Sequence, residues 1–382
     1  MAANMRKNVV SISGNYVYDP TKPFNEQTRK LIRKTHPEHG PLSVMQRGKR
    51  FAIVADSAAL GRHYMGIEQP VADGIGTKGA LHWKMGTMKE AARDAMAMTL
   101  DDLAEGGYVP MWLSNVAIFQ EEIPERIHAV IGEIVSVCMA NRWEFEGHLY
   151  PIVVTGGETA IVNTVEGMEI SMFVSGRPKL HGEILHRLKR GDVIVGLDSN
   201  GIHSNGISFL SGKKGHFTRR GMDVDSQLPF GATVGEELTK PTLIYLPVIM
   251  ELMNTLERGG AVPNDHIHGM VHITGGGMSK LTELLPRSMN LDIIVPRADH
   301  RPVPELFRYV QKEFSITPEE MYSRFNNGTG YVIAVDQHTA GLVLRIARDA
   351  GFGGGVIGAV TSGAGTVRVE SAYGSGSVEF DR

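Results

Sequence analysis

The densest chemistry in this chain lies in one short stretch. Residues 72–83 read ADGIGTKGALHW, so Asp73, Gly74, Gly76, Thr77 and Lys78 place a carboxylate, bare backbone, a hydroxyl and an amine almost side by side. Glycine amides and a lysine suit phosphate oxygens. The spacing is not that of a P-loop, which needs four residues between its first glycine and a Gly-Lys-Ser/Thr ending. A carboxylate heading a phosphate loop calls for a cation, and further acids could share it. Asp94 and Asp101 stand seven positions apart in a helical stretch and return to one face within about 20°. Asp102 adjoins them, and Glu158 follows Gly156-Gly157 at a strand end. Magnesium favours such hard oxygens, taking one or two carboxylates and completing its shell with phosphates. Each acid alone is more often part of a solvated face, a reading that weakens when three separate acids adjoin glycines or a strand end.

The second half holds two more loops of this kind. GIHSNG (201–206) sets His203, Ser204 and Asn205 between glycines, and HITGGG (272–277) sets His272 and Thr274 before Gly275, Gly276 and Gly277. Loop amides leading into a helix N-terminus form an anion site. Either histidine has the ordinary pKa of a general acid or base, although a lone histidine is more often structural. FNNGTG (325–330), with Asn326, is a third polar glycine turn that turn-forming alone would explain.

Alternating elements must position these loops. FAIVA, QPVAD, WLSNVAIF, MEISMFVSG, VIVGLDS, LDIIV and YVIAVD read as strands. MKEAARDAMAMTLDDLAEGG, PERIHAVIGEIVSVCMANRW and HTAGLVLRIARDAG read as helices, and 235–257 as a helical region interrupted by Pro241 and Pro247. YPIVVTGGETA reads as a strand entering a tight loop, and VHITGGGMSKLTELL as strand, glycine loop and helix. The polar connector RPKLHGEILHRLKRGD (177–192) separates two similar halves, so the expected fold is α/β, with two α/β domains over 1–180 and 181–382. GGGVIG at 353–358 fits the dinucleotide fingerprint by letter. A helix precedes it and a β-like segment follows, the reverse of what pyrophosphate binding requires.

With 382 residues, two cores are expected. The net charge of −3 supplies no basic field for nucleic acid. The single cysteine, Cys138, in an apolar run, leaves no internal disulfide and reads as a buried thiol of a cytoplasmic protein. No stretch approaches a membrane span, and the N-terminus lacks the apolar core of a signal peptide.

Taken in order, DGIGTK (73–78), DL (102–103), GGETA (156–160), GIHSNG (201–206), PTLIY (241–245), HITGGG (272–277) and MYSRFNNGTG (321–330) resemble the aminoimidazole ribonucleotide synthetase, or phosphoribosylformylglycinamidine cyclo-ligase, family. The resemblance implies an ATP-dependent ring closure of formylglycinamidine ribonucleotide through phosphorylation of its formyl amide oxygen, in purine biosynthesis. It implies ATP and Mg2+, with a monovalent cation as a further candidate. Asp73, Asp102 and Glu158 would hold the metal with help from Asp94. Gly74, Gly76, Thr77, Lys78, Gly156 and Gly157 would meet the nucleotide. His203, Ser204, Asn205, Thr274–Gly277 and Asn326 would line the substrate end, and His272, His203 and Lys78 would be catalytic. A homodimer whose N-terminal sheets join in a barrel is also implied.

The chain departs from the family in several places. Its Ala-Gly-Val-Asp signature is replaced by GNYVYDPTKPFN, where Asp19 is the nearest acid, and its glycine-rich stretch by GPLSVMQRGKRFAI. IVNTVEG follows GGETA, Asp101 stands where asparagine is usual, and Asn327 where cysteine is usual. DGxGTK is shared with formylglycinamidine synthase and selenophosphate synthetase, which are alternative assignments. A nucleotide-binding regulator without turnover is a third.

Overall fold

The computed structural model describes residues 23–47, 50–287, 290–296 and 303–382; Asp19 lies outside them. A hairpin of β1 (Leu42–Arg47) and β2 (Arg50–Ala55) precedes the first large sheet. That sheet is built from β3 (Gln69–Gly74), β4 (Tyr108–Phe119), β7 (Val153–Ile161) and β8 (Met168–Pro178), in the order β3-β8-β4-β7. Only its β4–β7 pair is parallel. Between β4 and β7, the Pro124–Ala140 helix runs into a small hairpin of β5 (Arg142–Phe145) and β6 (His148–Pro151). Its turn residues Glu146 and Gly147 both have positive φ, a conformation the sequence does not announce at glutamate.

The second half is one sheet of seven described strands: β9 (Val193–Asp198), β10 (Ile267–His272), β11 (Leu291–Val295), β12 (Thr329–Val335), β13 (Gly354–Ser362), β14 (Thr366–Glu370) and β15 (Ser377–Asp381). Their order is β10-β12-β9-β13-β11-β14-β15, and only β11–β14 is parallel. GGGVIG enters β13 after the Ala340–Asp349 helix, so helix precedes strand as the sequence indicates.

Three local readings change. GGETA remains in β7 rather than turning out as a loop; a side chain at Gly157 would put its Cβ 2.1 Å from the Asn115 carbonyl oxygen, so glycine is what lets β7 lie against β4 there. The 235–257 region splits into Val234–Leu238, capped by a Thr233–Glu236 capping box, and Leu246–Arg258, with Pro247 in its first turn. After the glycine loop, Gly277–Leu284 is a 3-10 helix. Cys138 is fully buried, and burial raises its thiol pKa.

The Met88–Glu105 helix joins the halves. It packs on β3 and β8 on one side and on β10 and the Leu246–Arg258 helix on the other, within one apolar core that draws on both sheets. Ala91, Ala92, Ala95, Met96, Leu100 and Leu103 are almost wholly buried, as expected of a helix lying between two layers. Two of its acids are buried as well. Asp94 Oδ1 accepts from the Thr242 amide at 2.7 Å and its hydroxyl at 2.6 Å, and Lys78 Nζ approaches both oxygens at 2.9 and 2.8 Å. His82 Nε2 lies 2.7 Å from Oδ2. Seven residues on, Asp101 Oδ1 accepts the amides of Tyr245 and Leu246 at 2.8 and 2.9 Å, at the N-terminus of the Leu246–Arg258 helix, where negative charge is favoured. Burial opposes ionisation of Asp94, but Lys78 and His82 outweigh it and hold its carboxyl well below the usual range. Removing one partner of a buried pair strands the other charge, which costs about 3–5 kcal/mol. Asp94→Ala should therefore lose about that much unfolding free energy in urea titration, whereas alanine at exposed Asp73 should change it by less than about 0.5 kcal/mol.

Candidate active site

Lys78 is the first residue of a helix, Lys78–Met85, that starts where the glycine loop ends. Its side chain turns inward. Besides Asp94, its ammonium donates to the His203 carbonyl at 3.0 Å and the Lys240 carbonyl at 2.6 Å. Three donors thus meet three acceptors, and the side chain has no exposure. The expected phosphate contact and the expected accessory cation ligand, Lys78 and Asp94, are each other's partners inside the protein. Both tie the end of the loop to the C-terminal half.

The open side of the site is built from the residues around them. Asp73, next to last in β3, is exposed, with Oδ1 accepting the Gly74 amide at 2.7 Å. One helical step past Asp101, Asp102 comes to the rim with its side chain 30% exposed, and its Oδ1 lies 3.0 Å from His272 Nδ1. Glu105 accepts the His272 amide at 2.5 Å. Burial lifts Glu105 to about 8, with Lys280 opposing and Asp102 adding to the rise. Asp102, Glu105 and His272 gather where β10 enters the glycine loop. A side chain at Gly275 would meet no atom within 4 Å, so the backbone there is open to a ligand.

Lys280 was not singled out by sequence reasoning. Its Nζ lies 3.1 Å from Thr274 Oγ1 and 4.0 Å from Glu105 Oε1. The available signal was the lysine of GGGMSK, three residues past the last glycine.

On its other side the Asp73–Lys78 segment borders a cleft of about 950 Å³, lined among others by Gly76, Thr77, Lys84, Glu169, Ser208 and Lys213. Thr77 Oγ1 lies 2.6 Å from Ser208 Oγ, so the two halves meet at the cleft wall. A volume of this order accommodates a nucleotide-sized ligand. Glu169 was also missed: within MEISMFVSG it reads only as the polar member of an alternating strand.

Several expected contacts lie deeper. Asn205 donates to the Ile273 carbonyl at 2.9 Å, and Asn326 donates to the Gly201 and Ile202 carbonyls at 3.0 and 3.2 Å. These two buried side chains link the GIHSNG, HITGGG and FNNGTG loops. Ser204 Oγ lies 3.3 Å from Thr242 Oγ1. His203 is buried with φ 57°. Its two ring nitrogens, His272 Nε2, Asp101 Oδ2 and the Tyr331 hydroxyl have no hydrogen-bond partner among the described residues. Burial lowers the pKa of both histidines, His203 most strongly.

Glu158 stands apart. Asp73 pairs with Met172 and Met172 with Asn115, residues on the helix-covered face. Glu158 pairs with Val116 and lies on the opposite face. Three strand spacings, roughly 14 Å, separate β3 from β7. Among the described residues no three His, Cys, Asp or Glu side chains converge at metal-binding spacing. Asp73 and Asp102 nevertheless offer hard carboxylate oxygens on the open side, which suits magnesium completed by phosphates and water.

Residues 71–177 match the N-terminal domain of AIR synthase related protein, and residues 189–370 match its C-terminal domain. The chain is 29% identical over 310 residues to the phosphoribosylformylglycinamidine cyclo-ligase of Bacillus licheniformis, covering 78% of this chain and 83% of that protein. The protein of that name from Methanocaldococcus jannaschii is 31% identical over 316 residues, 79% of this chain and 83% of its own length. The crystal structure of hydrogenase maturation protein HypE in complex with ATP aligns with a TM-score of 0.53 at 18% identity, over 85% of this chain and 90% of that one, a likeness of fold. No described helix is long and apolar enough to cross a membrane. With both halves matched in order, and relatives aligned over most of its length, the chain belongs to the AIR synthase related family.

Proposed function

We propose that this protein is a cyclo-ligase that closes formylglycinamidine ribonucleotide to aminoimidazole ribonucleotide at the expense of ATP, in purine biosynthesis. The observation that carries this reading is the course of one segment. Asp73–Lys78 leads from an exposed carboxylate to the wall of the large cleft at Gly76 and Thr77, so a nucleotide's phosphates and a cation on that carboxylate can meet along it. The terminal phosphoryl group passes to the formyl amide oxygen and ADP leaves. The amidine nitrogen then attacks the same carbon, the C–O bond breaks, and phosphate departs with that oxygen as the imidazole forms. Bound magnesium would neutralise the phosphates during this transfer. Asp73 and Asp102 would hold it. His272, behind Asp102, would orient that carboxylate, and the loop Thr274–Gly277 with Lys280 would receive the substrate's anionic end. In this division residues 1–180 carry the nucleotide and 181–382 the substrate.

The reading extends to a homodimer. One face of the four-stranded sheet is covered by helices; on the other Phe173 is 46% exposed, sharing that face with Ala72, Ser114, Trp112 and Val116. A second copy of this chain fits such a face, because open apolar sheets of this extent are otherwise an aggregation hazard. Glu158, on the same face, would then lie at the seam between copies and near the nucleotide.

With Mg-ATP and formylglycinamidine ribonucleotide, the protein should release ADP and aminoimidazole ribonucleotide one for one in a coupled chromatographic assay; ADP without that product would assign the phosphoryl group to another acceptor. Asp73→Asn should lower kcat/KM by about a hundredfold with an unchanged unfolding midpoint, and native turnover would remove Asp73 from the cation site. Light scattering should show a dimer for the native chain and a monomer for Phe173→Glu. A native monomer, or a dimer that survives this change, would rule the face out.

A further inference from the structure

We propose that Glu105 is a positioning residue of the substrate end, holding both ends of the His272–Lys280 loop from the other half of the molecule. The proposal rests on the functional reading only in taking the substrate's anionic end as the occupant of that loop. β10 is the edge strand of its sheet, with β12 as its neighbour on one side. Amides along an antiparallel strand turn alternately toward the neighbour and away from it. That of Ile273 turns in to the Gly330 carbonyl at 2.9 Å, and that of His272 turns out toward the free edge. With His272 fully buried, an outward amide there needs an acceptor from elsewhere in the fold. Glu105, the last residue of the Met88–Glu105 helix, supplies it: Oε1 accepts the amide at 2.5 Å. Asp102 stands three residues earlier, on the same helical face, and meets the ring of the same histidine. One face of one helix thus grips His272 by its ring and by its backbone.

The same oxygen also reaches the far end of the loop. Lys280, in the Gly277–Leu284 helix, brings Nζ to 4.0 Å from Glu105 Oε1 and donates to Thr274 Oγ1 at 3.1 Å. Between these anchors the backbone is turned by Gly276 and Gly277, at φ 97° and 55°, and a Cβ at Gly275 would meet nothing within 4 Å. Glycines leave such a segment many conformations unless something outside it removes them. Ordering it only when a ligand arrives would cost affinity, so a loop held beforehand binds better. The carboxyl group of Glu105 offers its oxygen as an acceptor whether or not it carries a charge. Because that group belongs to the N-terminal half and the loop to the C-terminal half, the docking of the halves sets where the loop presents its amides and Lys280.

Hydrogen–deuterium exchange on the full-length protein reads the loop directly, and steady-state turnover reads the consequence. Glu105→Ala should speed amide exchange across residues 272–280 by about tenfold, the scale of one buried donor that loses its acceptor. It should raise KM for formylglycinamidine ribonucleotide by about tenfold, with KM for ATP and kcat within about threefold of native, because Asp102 still holds the His272 ring. Glu105→Gln keeps the side chain's length and an acceptor oxygen, and should recover both exchange and KM to within about threefold of native. Circular dichroism melts check that each variant is folded. Should the alanine variant fail to fold, Glu105→Asp, one methylene shorter, replaces it with the same expectation. Native exchange in the alanine variant overturns the proposal, and so does faster exchange with a native KM. Equal losses in the glutamine and alanine variants also overturn it, because charge rather than the accepted bond would then be at work. A rise in KM for ATP as large as that for the other substrate would mean that the halves had loosened as a whole, and would overturn it too. The exchange measurement needs no substrate, so failure to form aminoimidazole ribonucleotide would sink the functional reading while leaving that result intact.

Discussion

An aspartate and a lysine with no exposure to solvent lie where the two halves of this protein meet, and the placing of the site depends on them. Burying either charge alone would be prohibitive. Together they are satisfied: Lys78 has Asp94 and two carbonyls, and Asp94 has the ammonium, His82 and both donors of Thr242. The carbonyls and Thr242 belong to the C-terminal half, so the bonding network closes only when the halves dock in one register. Such a pair is weak evidence for stability but suits the specification of a unique arrangement. Because Lys78 directly follows the phosphate loop, the loop inherits that register.

The Met88–Glu105 helix performs two tasks through its pitch. Positions seven apart return to nearly the same face, so Asp94 and Asp101 both point into the junction, one to Thr242 and the other to the amides opening the next helix. A single step of about 100° carries Asp102 from that face to the rim, where it meets His272 and solvent. The same turn of helix therefore binds the halves together and presents the reactive edge. Any shift in docking would move Asp102 relative to His272.

Element types, the alternation of sheet and helix and the motif loops were legible in the sequence because each leaves a local mark: period, capping residue or glycine. The partnership of Lys78 with Asp94 was not. Sixteen residues separate them, but the carbonyls that complete the lysine's shell come from His203 and Lys240, far along the chain. Composition likewise gives no means of telling an acid that awaits a cation from one that awaits backbone amides. Glu158 shows a related limit. Its motif promised a site residue, but which face of β7 it occupies depends on the pairing of Val116 with Ser171, and register is a tertiary property. Glu169 and Lys280 were missed because they lie in ordinary strand and helix patterns, and gain meaning only from the loops they touch.

The departures from the family pattern can be judged by the same geometry. Asp101, where asparagine is usual, uses one oxygen to accept two amides, a task either residue performs. Burial pushes its carboxyl above the usual range, with the two amides opposing. Asn327, where cysteine is usual, sits at φ 50°, a conformation asparagine tolerates, and its amide donates to the Met321 and Phe325 carbonyls at 3.0 and 2.8 Å. Both changes serve the scaffold. Asp73 and Asp102, which reach the open side, keep the residue types of the motifs that carry the resemblance, as does Glu158. A chain that had lost turnover would have no need to keep these three acids, which favours a working enzyme over a silent nucleotide-binding regulator.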